Sequence, residues 1–328
     1  MVVSCTLYAF LVLFSPWIAI PYSDAMGLVF PLAVLNLYMW ETPEGAGSVL
    51  KWLLIGFISW TGYKIKPQLL FALLAILAVG FLDLLQKRDL LKKARILALL
   101  AAGILPAMFL IRLALKPMTE TLDESKTVGP AHFLMMGLNT ETMGIYNQDD
   151  VDFSASFNNQ KDRNKASLQV IGERIHEMGP KGLFLQMVRK TLSNYNDASW
   201  NWENEDRDIF YFEKMEPSTK ILSSLLRKLY YSNEPGSFFT VFLNVSQMLW
   251  LVVLAASLVS VFAKGREKER SVIMLTLIGL SLFQVLFECR SRYFYSYVCF
   301  YVLLSVMGMK LLADTLAARK SARETEKA

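Results

Sequence analysis

Two histidines, His132 and His176, and three cysteines, Cys5, Cys289 and Cys299, are all that this 328-residue chain has of either type. Two histidines are too few for a dedicated His-rich metal centre, and no HExxH is present. Each cysteine lies in or beside an apolar run without CxxC spacing, so neither a disulfide framework nor a thiolate site is expected, and packing among helices is their ordinary role. No GxGxxG or GxxxxGK[ST] occurs, which leaves no sign of a nucleotide-phosphate cradle, and no nucleic-acid partner is expected. No basic segment leads the apolar start "MVVSCTLYAFLVLFSPWIAIPYSDA", and its end continues into another apolar run. It reads as a membrane span rather than a cleaved signal peptide. Internal repeats and low-complexity tracts are absent.

What the chain has is apolar length. It is 54% hydrophobic with a mean hydropathy of +0.34, and the apolar residues come in runs rather than stripes. That pattern predicts a mainly α, polytopic helical membrane protein. The runs fall at roughly 2–20, 25–40, 48–63, 67–86, 94–115, 237–263, 271–287 and 293–313, giving about eight spans. The second, third and seventh are short for a full bilayer, so a re-entrant segment or local thinning stays open there. The expected organisation is a transmembrane bundle over 1–116, a folded domain over 117–236 between spans five and six, a second bundle over 237–313 and a tail over 314–328.

Charge orients this arrangement. Residues 117–236 hold 13 basic and 18 acidic side chains, a net −5 that leaves +10 elsewhere. "QKRDLLKKAR" (86–95), "KGREKER" (264–270) and the tail "ARKSARETEKA" are basic and fall on one side of the membrane, which the positive-inside rule makes cytoplasmic. The 117–236 insert, "PYSDAM" (21–26), "GYKIKPQ" (62–68) and "ECRSRY" (288–293) are then extracytoplasmic. The insert reads as folded: Leu168, Ile171, Ile175 and Met178 keep helical spacing, "GPKG" interrupts it, and Phe184, Met187 and Val188 resume it. The aromatic and acidic stretch "SWNWENEDRDIFYFE" and an amphipathic "STKILSSLLRKLYY" lead back to the membrane.

In that topology Lys64, Lys66, Arg112, Lys116, Arg290 and Arg292 run against the general bias. They either snorkel to lipid phosphates and pair locally, as Glu288 and Arg292 could at i, i+4, or they converge on an anion. The second reading is a pocket for a lipid-linked phosphate, with forked donors from Arg and point charges from Lys. Asp24, in "IPYSDAM", and Glu288 lie at the same level as candidate catalytic carboxylates, taking a proton from an acceptor hydroxyl while the cations stabilise a departing phosphate. A solvated turn is the alternative for Asp24. Asp149, Asp150 and Asp152 could hold a divalent cation or form an acidic solvated turn. Ionisable residues at mid-bilayer depth are scarce, Asp83 and Lys310 lying near cytoplasmic ends, which argues against a transporter.

"SPWIAIPYSDAMGLVFPL" (15–32), "YKIKPQLL" (63–70), "GPAHFLMMGLNTETMGIYNQDDVDFS" (129–154) and "ECRSRYFYSY" (288–297) together resemble the membrane-edge pattern of multi-spanning glycosyltransferases of Gram-positive bacteria, in the broad GT-C class. They are similar to the family 39 protein-mannosyl and lipid-linked sugar transferases. The resemblance implies an inverting transferase that takes a sugar from a polyprenyl-phosphate donor at the outer face and places it on a cell-envelope polymer or surface protein. It implies that Lys64 and Lys66 touch the donor phosphate, that Arg290, Arg292 and Tyr293 close the same pocket, and that His132, Asn139 and Tyr146 shape the acceptor side. The resembled class carries its catalytic Asp in the first extracytoplasmic loop, after a span led by basic residues. Here the chain begins almost inside a span, so the expectation is the C-terminal portion of a longer enzyme that lacks its main catalytic acid. Two other readings fit the same features: a polysaccharide polymerase or ligase of the O-antigen type, and a non-enzymatic envelope-assembly subunit.

Overall fold

The computed structural model describes residues 2–87, 89–119, 123, 126–202 and 221–325. Among these residues the chain is helical, with no strand. Helix α1 (Val2–Tyr8) continues through a π-helical turn, Ala9–Leu13. The short α2 (Ser23–Met26) is followed by α3 (Val29–Met39), α4 (Ala46–Ile65), α5 (Phe71–Lys87) and α6 (Leu90–Thr119). The insert holds α7 (Pro130–Gly137), α8 (Gln148–Ala155) and α9 (Gln160–Tyr195). After α10 (Ile221–Tyr230) come α11 (Phe239–Val259), α12 (Glu267–Leu286) and α13 (Val298–Thr325).

Among the described residues, four helical stretches are long and apolar enough to cross a membrane: Leu90–Met118, Phe239–Phe262, Glu267–Leu286 and Ser291–Thr325. Val2–Leu13, Ser23–Met39 and Pro67–Asp83 are apolar but shorter than the roughly 20 residues that a bilayer takes. Two charge clusters mark the ends of the bundle. At one end Asp83 of α5 meets Lys93 of α6 and Lys268 of α12, each at 3.0 Å. At the other, the α1–α3 link, the α4–α5 link and the 3-10 turn Ser291–Tyr297 come together around Asp24. Helices α3 to α6 therefore run alternately between the two ends, and so do α12 and α13.

Helix pairs approach backbone to backbone where glycine permits it. A Cβ on Gly56 of α4 would lie 2.3 Å from the Leu100 carbonyl oxygen of α6, and one on Gly103 would lie 2.0 Å from that of Leu53. Gly308 of α13 makes the same approach to Ala256 of α11, at 1.9 Å. In lipid, where apolar surface gains nothing by leaving the solvent, such close contact supplies much of the attraction between helices.

The insert has its own small core of Met135, Leu138 and Ile171 between α7 and α9. The expected interruption at "GPKG" is a bend inside α9, where Gly179 takes φ +56 just before Pro180. The expected apolar face is mostly not buried. Ile171 is in the core, but Leu168 and Ile175 are exposed, as are Phe184, Met187 and Val188 beyond the bend. Polar anchors hold the far half of α9 instead. The buried Lys190 ammonium donates to the carbonyls of Gly137 at 2.8 Å and Phe287 at 2.7 Å, and the Tyr195 hydroxyl lies 2.7 Å from those of Ser281 and Tyr301. These bonds tie the insert to α12 and α13. Most of the aromatic and acidic stretch beginning at Ser199 lies outside the described residues, whereas the expected amphipathic return segment is α10.

Gly103→Ala should lower the thermal midpoint of the detergent-purified protein, because the added methyl meets backbone. Gly172→Ala, in a part of α9 where a Cβ meets nothing within 4 Å, should raise stability by about 0.5–1 kcal/mol. Equal effects of the two changes would contradict the α4–α6 contact.

Candidate functional site

Three links separated widely in sequence build the site. Pro16 and Pro67 each open a short 3-10 turn, and Asp24 sits in the first turn of α2. The turn Ser291–Tyr297 lies against both links. The Ser296 hydroxyl donates to the Asp24 carbonyl at 2.8 Å, the Tyr297 hydroxyl donates to the Gln68 carbonyl at 2.8 Å, and the Gln68 amide donates to the Tyr293 carbonyl at 3.2 Å. Gly27 lets the chains close up, since a Cβ there would meet the Ser296 hydroxyl at 2.6 Å.

At the centre Asp24 has no solvent exposure. Its Oδ1 accepts a hydrogen bond from the Lys66 ammonium, and its Oδ2 lies 3.2 Å from Nε of Arg292. Aromatic rings wall the cations. Lys66 Nζ stands 3.9 Å from the centre of the Tyr293 ring, and the Arg292 guanidinium lies 4.3 Å from that of Tyr22 and 5.0 Å from that of Trp17. Such contacts strengthen as water is excluded. Lys66 follows the last residue of α4; burial, with a smaller contribution from Arg292, pushes its pKa down to about 8 against the opposing pull of Asp24. Glu288 also acts on Lys66 and lies 3.5 Å from Nε of Arg290, whose guanidinium is 5.7 Å from the Tyr146 ring. Among the described residues the group holds three cations, Lys66, Arg290 and Arg292, against two acids, Asp24 and Glu288.

The structure thus brings together Asp24, Lys66, Arg292 and Tyr293, and places Glu288, Arg290 and Tyr146 beside them. Lys64 goes elsewhere: it is exposed and stacks over Trp60 and Tyr63 of its own helix. Arg112 and Lys116 stay on α6, and neither touches Asp24. His132 is buried, with Nδ1 2.7 Å from the Ser154 hydroxyl, and burial lowers its pKa. The Asn139 side-chain oxygen accepts from the amides of Glu141 and Thr142, and its amide donates to Asp150. Asp150 in turn takes both terminal nitrogens of Arg174, at 2.6 and 3.0 Å. His132 and Asn139 therefore shape the segment of α7, α8 and their link from inside, and Tyr146, exposed beside Arg290, is the expected acceptor residue that reaches the surface. Asp152 accepts from Gln148, and among the described residues no three His, Cys, Asp or Glu side chains gather as metal ligands.

That segment docks on the site through the backbone of α7 and of the link after it. The amides of Glu288 and Cys289 each donate at 2.9 Å, to the carbonyls of Phe133 and Gly144. Gly144, at φ +76, has no room for a Cβ, which would lie 2.6 Å from the Gly137 carbonyl oxygen. A groove of about 670 Å³ opens alongside, lined by Arg290, Ser291, Asp197, Arg189, Tyr195 and Leu254 among others. Asp197 is fixed there by the Ser291 hydroxyl at 2.6 Å and the Asn201 amide at 2.6 Å. Sequence reasoning missed Trp17, Tyr22, Gln68, Lys190 and Asp197. Of these, the aromatics just before Asp24 were the one available signal.

Asp24→Ala should cost about 3–5 kcal/mol, because it strips the acid from two buried cations. The loss should appear as a large fall in thermal midpoint, with Lys64→Ala unchanged as its control.

Comparison with known proteins gives one result that bears on this geometry. A family model described as "Conserved hypothetical integral membrane protein" matches residues 1–312. No curated protein and no solved structure matches the chain.

Proposed function

From the premise that this chain belongs to that family of integral membrane proteins, we propose that it is a glycosyltransferase of the GT-C kind. It crosses the membrane about eight times, with residues 117–236 extracytoplasmic and the C-terminus cytoplasmic. It moves a sugar from a polyprenyl-phosphate donor to a cell-envelope polymer or surface protein, in a Gram-positive envelope. One observation carries the reading: Asp24, Lys66 and Arg292, from three separate links, form a single buried cluster at one end of the bundle.

Without substrate the Asp24 carboxylate lies between both cations and leaves one net positive charge among the three groups. The donor phosphate takes the place of the Asp24 carboxylate on Lys66 and Arg292, and the released carboxylate becomes the base. The acceptor hydroxyl oxygen attacks the anomeric carbon from the face opposite the phosphate, and its proton passes to Asp24. As the new C–O bond forms, the bond from the anomeric carbon to the phosphate oxygen breaks, and polyprenyl phosphate leaves with one more negative charge than it had as a diester. Lys66 and Arg292 are fixed where that charge develops, the arrangement that lowers a barrier most. Asp24, in the link between α1 and α3, is the carboxylate that this reading uses as the base.

Arg290, two residues before Arg292, favours a second reading, in which a diphosphate carrier is held at both arginines by a polymerase or ligase of the O-antigen type. The complete burial of Asp24 favours a third, a non-enzymatic envelope-assembly subunit in which the cluster is purely structural.

The test is binding of a polyprenyl-phosphoryl sugar to the protein in nanodiscs across pH. The ligand is a phosphodiester whose charge is constant from pH 6 to 10, so any change reports the protein. Binding needs protonated Lys66, whose pKa in the free site is about 8. Affinity should be flat below that pH and fall above it by up to about tenfold per unit, or roughly 1.4 kcal/mol. Lys66→Arg should bind without that fall. Absence of binding, or a pH-independent affinity, would refute the phosphate site. Preference for a diphosphate-linked oligosaccharide would favour the second reading.

A further inference from the structure

At the opposite end of the bundle lies a separate cavity of about 360 Å³. Consecutive helices α5 and α6 hardly touch along their length, because α6 packs on α4 through Gly56 and Gly103 while α5 packs on α12. The cleft left between them is lined by Ile76, Gly80 and Phe81 of α5 and Leu97 of α6, with Tyr38 and Trp52 among its other lining residues. Phe81 and Leu97 are exposed outward at 59% and 55%, on surfaces that would face the bilayer. The mouth is polar. Lys93 and Lys268 meet on Asp83, and Lys51 stands 5.8 and 5.7 Å from the centres of the Tyr38 and Trp52 rings while donating to the Tyr38 and Trp40 carbonyls. Glu269 is close enough to act on both Lys51 and Tyr38. Among the described residues that line it, two lysines, Lys93 and Lys268, against one acid, Asp83, leave one positive charge beside an apolar chamber.

We propose that this cavity is a binding site for one anionic phospholipid of the adjacent leaflet, with an acyl chain between α5 and α6 and the phosphate at Lys93 and Lys268. The occupant follows from the combination of features: an apolar slot open sideways for a chain, and excess cations at headgroup level for an anion. Its size fits the usual range of small-molecule sites. Gly80 leaves the chamber open, since a Cβ there meets nothing within 4 Å.

The full chain, delipidated and returned to nanodiscs of phosphatidylcholine with a minor fraction of phosphatidylglycerol, should retain phosphatidylglycerol on release into the gas phase. Gly80→Phe should weaken that retention at least tenfold, whereas Gly80→Ala should keep it. In a parallel measurement, phosphatidylglycerol with brominated acyl chains should quench tryptophan emission more than brominated phosphatidylcholine does, and Trp52→Phe should remove the difference. Equal retention by Gly80→Phe and wild type, no preference between the two lipids, or a wild-type dimer that Gly80→Phe dissociates would each overturn the proposal.

Discussion

An acid with no exposure, held between an ammonium and a guanidinium, sets the terms for the rest of this molecule. Removing a carboxylate from water costs several kcal/mol even after relaxation, and the cost is offset only when both oxygens meet well-placed partners. For Asp24 those partners lie 42 and 268 residues away in the chain. The links before α3, after α4 and before α13 therefore have to be in place together. Their backbones are joined by Ser296, Tyr297 and Gln68, so the cluster stands on a frame that is itself hydrogen-bonded. Trp17, Tyr22 and Tyr293 complete the enclosure with ring faces that favour cations without neutralising them.

The insert obeys the same constraint by a different route. Its apolar core is small, and several apolar side chains of α9 stay exposed, so hydrophobic burial alone does not hold it. Lys190 does much of that work. Its ammonium bridges the end of α7 and the end of α12, and burial lowers its pKa to about 8. Together with the two backbone bonds from Glu288 to α7 and from Cys289 to the link after it, it fixes that link directly beside Arg290. The surface next to the buried cluster is thus made by the insert, and neither part of the site is complete alone.

Hydropathy made the long helices legible, because a span needs little beyond length and apolar composition. The charged boundary at 288–292 was legible for the same reason, as an interruption of an apolar run. Partners were not. Lys64 and Lys66 are two residues apart and alike in sequence, yet Lys64 is still on α4 and folds back over Trp60, while Lys66 has left the helix in an extended conformation, φ −154, and turns inward. Helical spacing in α9 pointed to Leu168, Ile171, Ile175 and Met178, of which tertiary packing uses Ile171 and, in part, Met178. Asn139 was expected on the acceptor side, and Asp150 either at a cation or in an acidic solvated turn. A short turn that caps its own amides and an arginine 24 residues on occupy them instead, and neither relation has a sequence signature.

The two ends of the bundle also differ in the kind of cation they use, and the difference follows from burial. Where charge is enclosed, two arginines serve with one lysine: a guanidinium is weakly hydrated, keeps its charge in a dry site and presents donors in a fixed plane. Arg292 is 6% exposed and lies against two rings. At the Asp83 end three lysines serve, and Lys268 remains more than half exposed, as suits a strongly hydrated ammonium on a flexible stem. A rigid, dry, arginine-based site selects a ligand by the geometry of its charge. A wet, lysine-based site selects by charge alone and tolerates movement of the group it holds. The first suits a reacting phosphate that must be oriented, and the second a headgroup that only needs to stay near the membrane surface.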